Sequence, residues 1–328
     1  MLFILFYYII SDSIIFHDTN ILTRSKVNEK MNEDITDVFI KNITNIGNRA
    51  FYGCSNIEHV LFQEPLILEI IEWSAFQECK GLKSILIPSS VQTIGSNAFQ
   101  ECSNLENVSF EEQSNLTIIG DSAFKECKEL KSILIPSSAQ TIGSNAFYYC
   151  SNLENVSFEE KSILTRIGDS SFSNCDNLET IELPSNLKEI SSRLFEGCTE
   201  LKSIAILSSI SKIQEYAFLN CSNLECILYY GTNNPEIIYD NSFSGCEKLS
   251  VIITYLTYSS KTFGSFKVRK TSEFPLTCHI KSNTNQLKSG EIASIIICSF
   301  IFIIIICVIL FFTVFRKKKN KTQDENTP

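Results

Sequence analysis

The chain has 328 residues, 44% of them apolar, and a formal net charge of −9. That is enough apolar material for a large core, or for two ordinary domains. The last thirteen residues are basic on balance (Arg316, Lys317, Lys318, Lys319 and Lys321 against Asp324 and Glu325), so the rest of the chain is more acidic still. An acidic exterior repels phosphate backbones, which excludes nucleic acid as a partner.

In chain order, the first predicted element is a signal peptide over 1–13. Leu2 to Ile10 is an apolar run too short to span a bilayer, and the small residues Ser11 and Ser13 suggest a cut after Ser13. The usual basic flank is missing. Residues 14–40 read as an N-terminal cap, polar and charged from 17 onward, and 41–258 as a repeat array. At 259–290 the repeat is lost, and this segment reads as C-terminal cap and stalk. A transmembrane helix is placed at 291–315, its core the uncharged run Ile292–Phe315. As a helix those residues span about 36 Å, enough for roughly 30 Å of hydrocarbon with some tilt. The basic residues of the 316–328 tail follow at once and place that tail in the cytoplasm. The expected topology is therefore a single-pass plasma-membrane protein with extracellular repeats.

Within the array a cysteine recurs every 23 or 25 residues, at Cys54, Cys79, Cys102, Cys127, Cys150, Cys175, Cys198, Cys221 and Cys246. A fixed period in this range means stacked units rather than one enclosed domain. Leu82-x-x-Ile85-x-Ile87 and Leu105-x-x-Val108-x-Phe110 match the strand signature of leucine-rich repeats, in which alternate residues point into the stack. Pro88 ends its strand because proline has no N–H for the ladder. Ile94-Gly95 follows, where glycine offers a backbone conformation other residues resist. Asn97-Ala98-Phe99 is expected to begin a short helical or 3₁₀ segment on the convex side. Phe51, Phe76, Phe99, Phe124, Phe147, Phe172, Phe195, Phe218 and Phe243 should then form an internal aromatic column. A single unit cannot offset its backbone ordering, about 1–2 kcal/mol per residue, unless neighbours cover both of its faces. The predicted fold is an α/β solenoid: about nine 23–25-residue repeats with a parallel concave β-sheet.

The phrase Ile-Pro-Ser-Ser-Val-Gln-Thr-Ile-Gly-Ser-Asn-Ala-Phe at 87–99, and its near copy at 135–147, resembles the BspA-like (Treponema pallidum-type) leucine-rich repeat family. The resemblance covers about residues 40–255. It implies a surface antigen of the sort abundant in parasitic protists such as trichomonads, associated with attachment to host cells, matrix proteins or other microbes. Ser191, Gln214 and Tyr239 stand where the family pattern has glycine, so the later repeats are expected to turn differently.

A second period of 48 residues lies above the first. Lys83 to Phe99 returns as Lys131 to Phe147 with one change, and Ser103 to Glu112 returns unchanged as Ser151 to Glu160. Duplicated surface suits a multivalent binder and not an active site, which needs unique groups converging on one point. The residues between inward-facing positions give the candidate binding strip: Leu61, Leu86, Ser109, Leu134, Ser157, Glu182, Ala205 and Leu228, with Ile253 as its extension. Leucine at exposed strand positions suggests contact with a partner, although strand propensity alone would also tolerate it.

Sequons at Asn42, Asn107, Asn115, Asn155 and Asn220 permit N-glycosylation. Asn42 and Asn115 are the favoured sites, because sugars on Asn107 and Asn155 would obstruct the concave face. The periodic cysteines read as small apolar core residues rather than a disulfide framework or metal site. Cys226 and Cys278 fall outside the ladder, and a bridge between them would fasten the C-terminal cap. No cofactor is implied. His17, His59 and His279 sit in no catalytic motif, and acidic pairs such as Glu159-Glu160 read as solvated loop charge, so the chain is not expected to be an enzyme. The expected function is adhesion to a host or extracellular-matrix protein or glycan. Two alternatives stay open: a receptor signalling through a co-receptor, and a coat antigen without a specific ligand.

Overall fold

In the computed structural model, which describes residues 13–272, the chain winds as a parallel β-solenoid. The elements in order are β1 (Ser13–Leu22), α1 (Arg24–Asn28), β2 (Asp37–Ile46), β3 (His59–Gln63), β4 (Ile70–Ile71), β5 (Ser84–Ile87), β6 (Thr93–Ile94), β7 (Asn107–Phe110), β8 (Ile118–Ile119), β9 (Ser132–Ile135) and β10 (Thr141–Ile142). They continue with β11 (Asn155–Phe158), β12 (Arg166–Ile167), β13 (Thr180–Ile181), β14 (Glu189–Ile190), β15 (Ser203–Ile206), β16 (Lys212–Ile213), β17 (Cys226–Tyr229), β18 (Ile237–Ile238), β19 (Val251–Tyr255), β20 (Thr262–Phe263) and β21 (Phe266–Thr271). Each repeat supplies a concave strand, four or five residues long except at the two-residue β13, and a second strand of two residues. The long strand β2 belongs to both ladders, which run β2-β3-β5-β7-β9-β11-β13 on one side and β2-β4-β6-β8-β10-β12 on the other.

The alternation of side chains explains the concave strands. In β5 and β9, Ile85, Ile87, Ile133 and Ile135 are buried while Leu86 and Leu134 face out. Both strands end immediately before a proline, as the missing donor requires. Behind them the nine phenylalanines form the expected column. Successive rings from Phe51 to Phe172 stack nearly parallel with centroids 5.0–5.4 Å apart. At the two ends the stack is closed edge-on, by Phe16 against Phe51 and by Phe266 against Phe243.

The convex side differs from expectation. It is not helical, and among the described residues the five-residue α1 is the one α-helix. Asn97 and Glu101, two residues either side of Phe99, take left-handed backbone conformations (φ 56° and 60°), and the pattern returns in the neighbouring repeats. Consecutive helical geometry is thereby ruled out. The reward lies between repeats. The N–H groups of Asn97, Phe99 and Glu101 donate to the carbonyls of Asp121, Ala123 and Lys125 at 2.7–2.9 Å, and equivalent bonds run through the stack. The convex wall is thus a further hydrogen-bonded ladder, and the fold is β rather than α/β. Where that ladder starts, the Arg24 guanidinium donates to the Ala50 carbonyl at 3.3 Å.

The glycines that recur through the first repeats work by size, not by conformation. Gly95, Gly120, Gly143 and Gly168 do not have positive φ; instead a Cβ at Gly143 would stand 2.5 Å from the Asp121 nitrogen, and one at Gly168 2.5 Å from the Ser144 nitrogen. They let one turn lie directly on the previous one. At Ser191 a side chain occupies that place, and there both ladders part. β12 does not pair with β14, and a single bridge, Glu182 to Ala205, joins β13 to β15. The rings of Phe172 and Phe195 are 6.0 Å apart at this junction, and the next pair is tilted by 19°. Beyond it β15-β17-β19-β21 and β14-β16-β18 resume as separate sheets, the former closed by the antiparallel β20–β21 hairpin.

The cap reading also shifts. β1 lies parallel to β2 in register from Ser13–Asp37 to Leu22–Ile46, so solenoid pairing begins before residue 41. Ser13, before the expected signal cut, is its first residue. Residues 1–12 lie outside the described residues, as do the transmembrane helix and tail expected at 291–328 and most of the stalk. Among the described residues no helix is long and apolar enough to cross a membrane.

Candidate functional site: the concave face

The strip predicted from the sequence is assembled by the sheet. Leu61, Leu86 and Leu134 are 45%, 49% and 50% exposed, and Ser109, Ser157 and Glu182 are exposed in the same row. Register joins them: Leu86 pairs with Ser109, Ser157 with Leu134, and Glu182 bridges to Ala205. Ala205 and Leu228 are half-buried. Ile253 does not belong to the strip. It is 1% exposed, beside the strand β21 that closes the sheet, and Cys226 in the neighbouring row is buried as well.

The structure adds two residues that sequence reading assigned to the cap. Ile15 of β1 pairs with Phe39 of β2, and Phe39 with Leu61 of β3. Ile15 is 47% exposed and Phe39 half-buried, so four successive strands carry Ile15, Phe39, Leu61 and Leu86 in one row. The alternation Val38-x-Ile40, with Phe39 between, was the available signal. These two strands lack the cysteine-phenylalanine phrase that marks the other repeats. Beside the row, His59 Nδ1 meets Asp37 Oδ1 at 2.8 Å on the surface, in keeping with a surface role for His59.

Of the sequon asparagines, Asn107, Asn115, Asn155 and Asn220 are exposed. Asn42 is half-buried within β2 and takes a left-handed conformation (φ 52°). The acidic pairs are not simply solvated. Glu111 Oε2 accepts the Ser89 N–H at 2.9 Å and Glu159 Oε2 accepts the Ser137 N–H at 2.8 Å, while Glu112 and Glu160 are exposed. The first glutamate of each pair staples a long repeat to the short one before it.

The periodic cysteines are free thiols, all but Cys54 and Cys246 buried. From Cys79 to Cys246, each Sγ–H donates to the carbonyl of the phenylalanine in the preceding repeat at 3.0–3.3 Å. A side chain this small fits beside the rings and still satisfies a buried acceptor. Burial pushes these thiols far up from their ordinary range at Cys79, Cys127 and Cys175, and they stay protonated at neutral pH. Cys226, outside the ladder, is disulfide-bonded; its partner is none of the nine periodic cysteines. Cys278 lies outside the described residues.

A wide, shallow, strip-like face on a repeat stack defines a scaffold of the leucine-rich repeat class. The model of the BspA type leucine-rich repeat region matches residues 30–154 and 140–267 in six copies. The chain belongs to that family. Among solved structures it is similar to a leucine-rich repeat protein from Bacteroides ovatus, with 27% identity and a TM-score of 0.52 over 69% of this chain and 62% of that one. It therefore spans about three fifths of that protein's length. It is also similar to the leucine-rich repeat protein of T. pallidum, with 22% identity and a TM-score of 0.39 over 65% of this chain and 78% of that one. No curated protein sequence matches it.

Proposed function

We propose that this protein is displayed at a cell surface and binds a protein partner along its concave face, in adhesion to host cells or extracellular matrix. The observation that carries the reading is the apolar row of Ile15, Leu61 and Leu86, each 45–49% exposed, in which Phe39 pairs with both Ile15 and Leu61 and Leu86 follows on the next strand. Water gains when such a row is covered, at about 25 cal/mol per Å² of apolar surface. Strand backbones fix the spacing of these side chains before binding, so little ordering entropy opposes association. Family membership supports a binding scaffold over an enzyme, because BspA-type repeats form extended interaction surfaces rather than enclosed pockets. Attachment through Ile292–Phe315, with the repeats outside and the basic tail within, completes the proposal.

The test displays the full chain on a cell that lacks it and measures adherence to epithelial monolayers and to immobilised matrix proteins. Saturable binding that is lost in Leu61→Glu/Leu86→Glu, with surface display unchanged, supports the reading. Equal binding by that variant overturns the assignment of the strip, and absence of any binding by the parent chain overturns adhesion. Peptide mapping without reductant tests the Cys226–Cys278 bridge; a Cys278 thiol found free refutes it.

A further inference from the structure

The 48-residue period has a structural expression that the apolar row does not use. Before Ser191 the short steps β5–β7 and β9–β11 pair at four positions. Across the long steps of that block pairing lapses, whereas the long step β17–β19 beyond it keeps four pairs. β7 and β9 share only Asn107–Ser132, and β11 and β13 only Asn155–Thr180 and Val156–Ile181. The two extra residues after β7 and β11 carry the chain away from the following strand, and a cleft opens at each place. One, of about 210 Å³, is lined by Asn107, Ser109, Phe110, Ser132, Leu134 and Glu159. The other, of about 420 Å³, includes Asn155, Ser157, Phe158, Lys161, Thr180 and Glu182 in its lining. The larger volume falls within the range of small-ligand sites, roughly 300–1,000 Å³.

The chemistry of the lining is specific. Hydroxyl and amide groups approach from both walls, giving donors and acceptors at short spacing. A half-buried phenylalanine, Phe110 or Phe158, offers a flat apolar face in each cleft. Such a combination fits a ring with hydroxyls at its rim and C–H bonds on its face. Glu159 borders both clefts and Glu182 is exposed in the second, against the single cation Lys161, so sulfated or carboxylated ligands are disfavoured. The clefts lie two strands apart, about 10 Å at the spacing of a β-sheet, which is the scale of a β-linked disaccharide. Each also holds a sequon asparagine, Asn107 or Asn155, whose serine (Ser109 or Ser157) lies in the same lining.

We propose that the two clefts are seats for neutral pyranose sugars, spaced for successive disaccharide units. The sugar has two sources with the same chemistry: N-linked glycans of the chain itself at Asn107 and Asn155, or a free neutral β-linked glycan. The full chain is made both in a secreting eukaryotic cell and in a bacterium that attaches no sugar. Peptide mapping by mass spectrometry reads Asn107 and Asn155 in the first, and calorimetric titration with chitotetraose reads the clefts in both. With the chain's own glycans as occupant, both asparagines carry sugar and only the bacterial protein takes up chitotetraose. With a free glycan as ligand, the asparagines are bare and both preparations bind. In either case Ser157→Trp weakens chitotetraose binding to the bacterial protein at least ten-fold, whereas Glu236→Gln, exposed and outside both the clefts and the apolar row, leaves it unchanged. Failure of the sugar-free protein to bind chitotetraose, or binding indifferent to Ser157→Trp, overturns the proposal whatever the fate of the adhesion reading.

Discussion

The repeats before Ser191 and those after it are built from the same phrase, yet they stack differently. In the first block Gly95, Gly120, Gly143 and Gly168 let adjacent turns touch backbone to backbone; the two-residue ladder pairs evenly throughout, and the concave strands stay in one sheet although their pairing thins at the clefts. In the second block a serine, a glutamine and a tyrosine stand at those places. The Ser191 hydroxyl donates to the Ile167 carbonyl in a short contact, the ring spacing widens to 6.0 Å, and the sheets restart. The surface changes at the same point. The first block carries the exposed apolar row and the clefts, while in the second Ala205 and Leu228 are half-buried and Ile253 is covered. The ladders part at Ser191 alone, since pairing runs on through the turns that carry Gln214 and Tyr239.

The largest effect expected is that of base, because the thiol column crosses the junction. Burial raises the folded-state pKa of Cys79, Cys127, Cys175 and, beyond the junction, Cys221. The unfolded thiol titrates near 8.5. Below that pH the protonated form is shared by both states and the stabilisation is intact; as pH rises towards the folded pKa, each such thiol costs about 1.4 kcal/mol per pH unit. Several together overwhelm a stability of about 5–15 kcal/mol within a few pH units. Circular dichroism against pH should show one steep alkaline transition across both blocks; two separate transitions would mean that the blocks fold apart. Phe124→Ala comes next, at about 3–5 kcal/mol by chemical denaturation, since a fully buried ring in a regular stack leaves a cavity its neighbours cannot fill. An unchanged midpoint would refute the column's role.

Gly143→Ala sharpens the comparison most directly. The added methyl meets the backbone of Asp121, so the variant should lose about 1–3 kcal/mol. Amide hydrogen exchange should accelerate at position 143, whose N–H in the parent chain donates to the Ile119 carbonyl, which would reproduce the Ser191 break two repeats earlier. Exchange that stays slow would show that glycine is not what keeps the ladders closed. Smallest of the set is Cys127→Ala, which removes a donor from the Phe99 carbonyl while the Cys102 N–H remains there. About 0.5–1.5 kcal/mol is expected, read from thermal melts.

The repeat class, the phenylalanine column, the core role of the cysteines and the late change of turn were legible in the sequence, because each rests on a side chain recurring at one register. The convex geometry was not. Left-handed conformations at Asn97 and Glu101 arise from hydrogen bonds to the following repeat, which a local reading of Asn97-Ala98-Phe99 as a helix start cannot weigh. Ile15 and Phe39 were missed for a related reason: their strands hold the row through pairing with β3, without the phrase that marks a repeat. The clefts, too, depend on where pairing lapses, and the duplication hinted at them without locating them.

The most direct measurement is a quantitative binding comparison between the two blocks, on displayed full-length chains. Leu61→Glu/Leu86→Glu in the first block is set against Ala205→Glu in the second, with adherence to epithelial cells and matrix proteins titrated for each. The account predicts at least a ten-fold loss for the first variant and near-parental binding for the second. Equal losses in both, or binding that survives the first, would contradict a partner held on the exposed row of the glycine-bearing block.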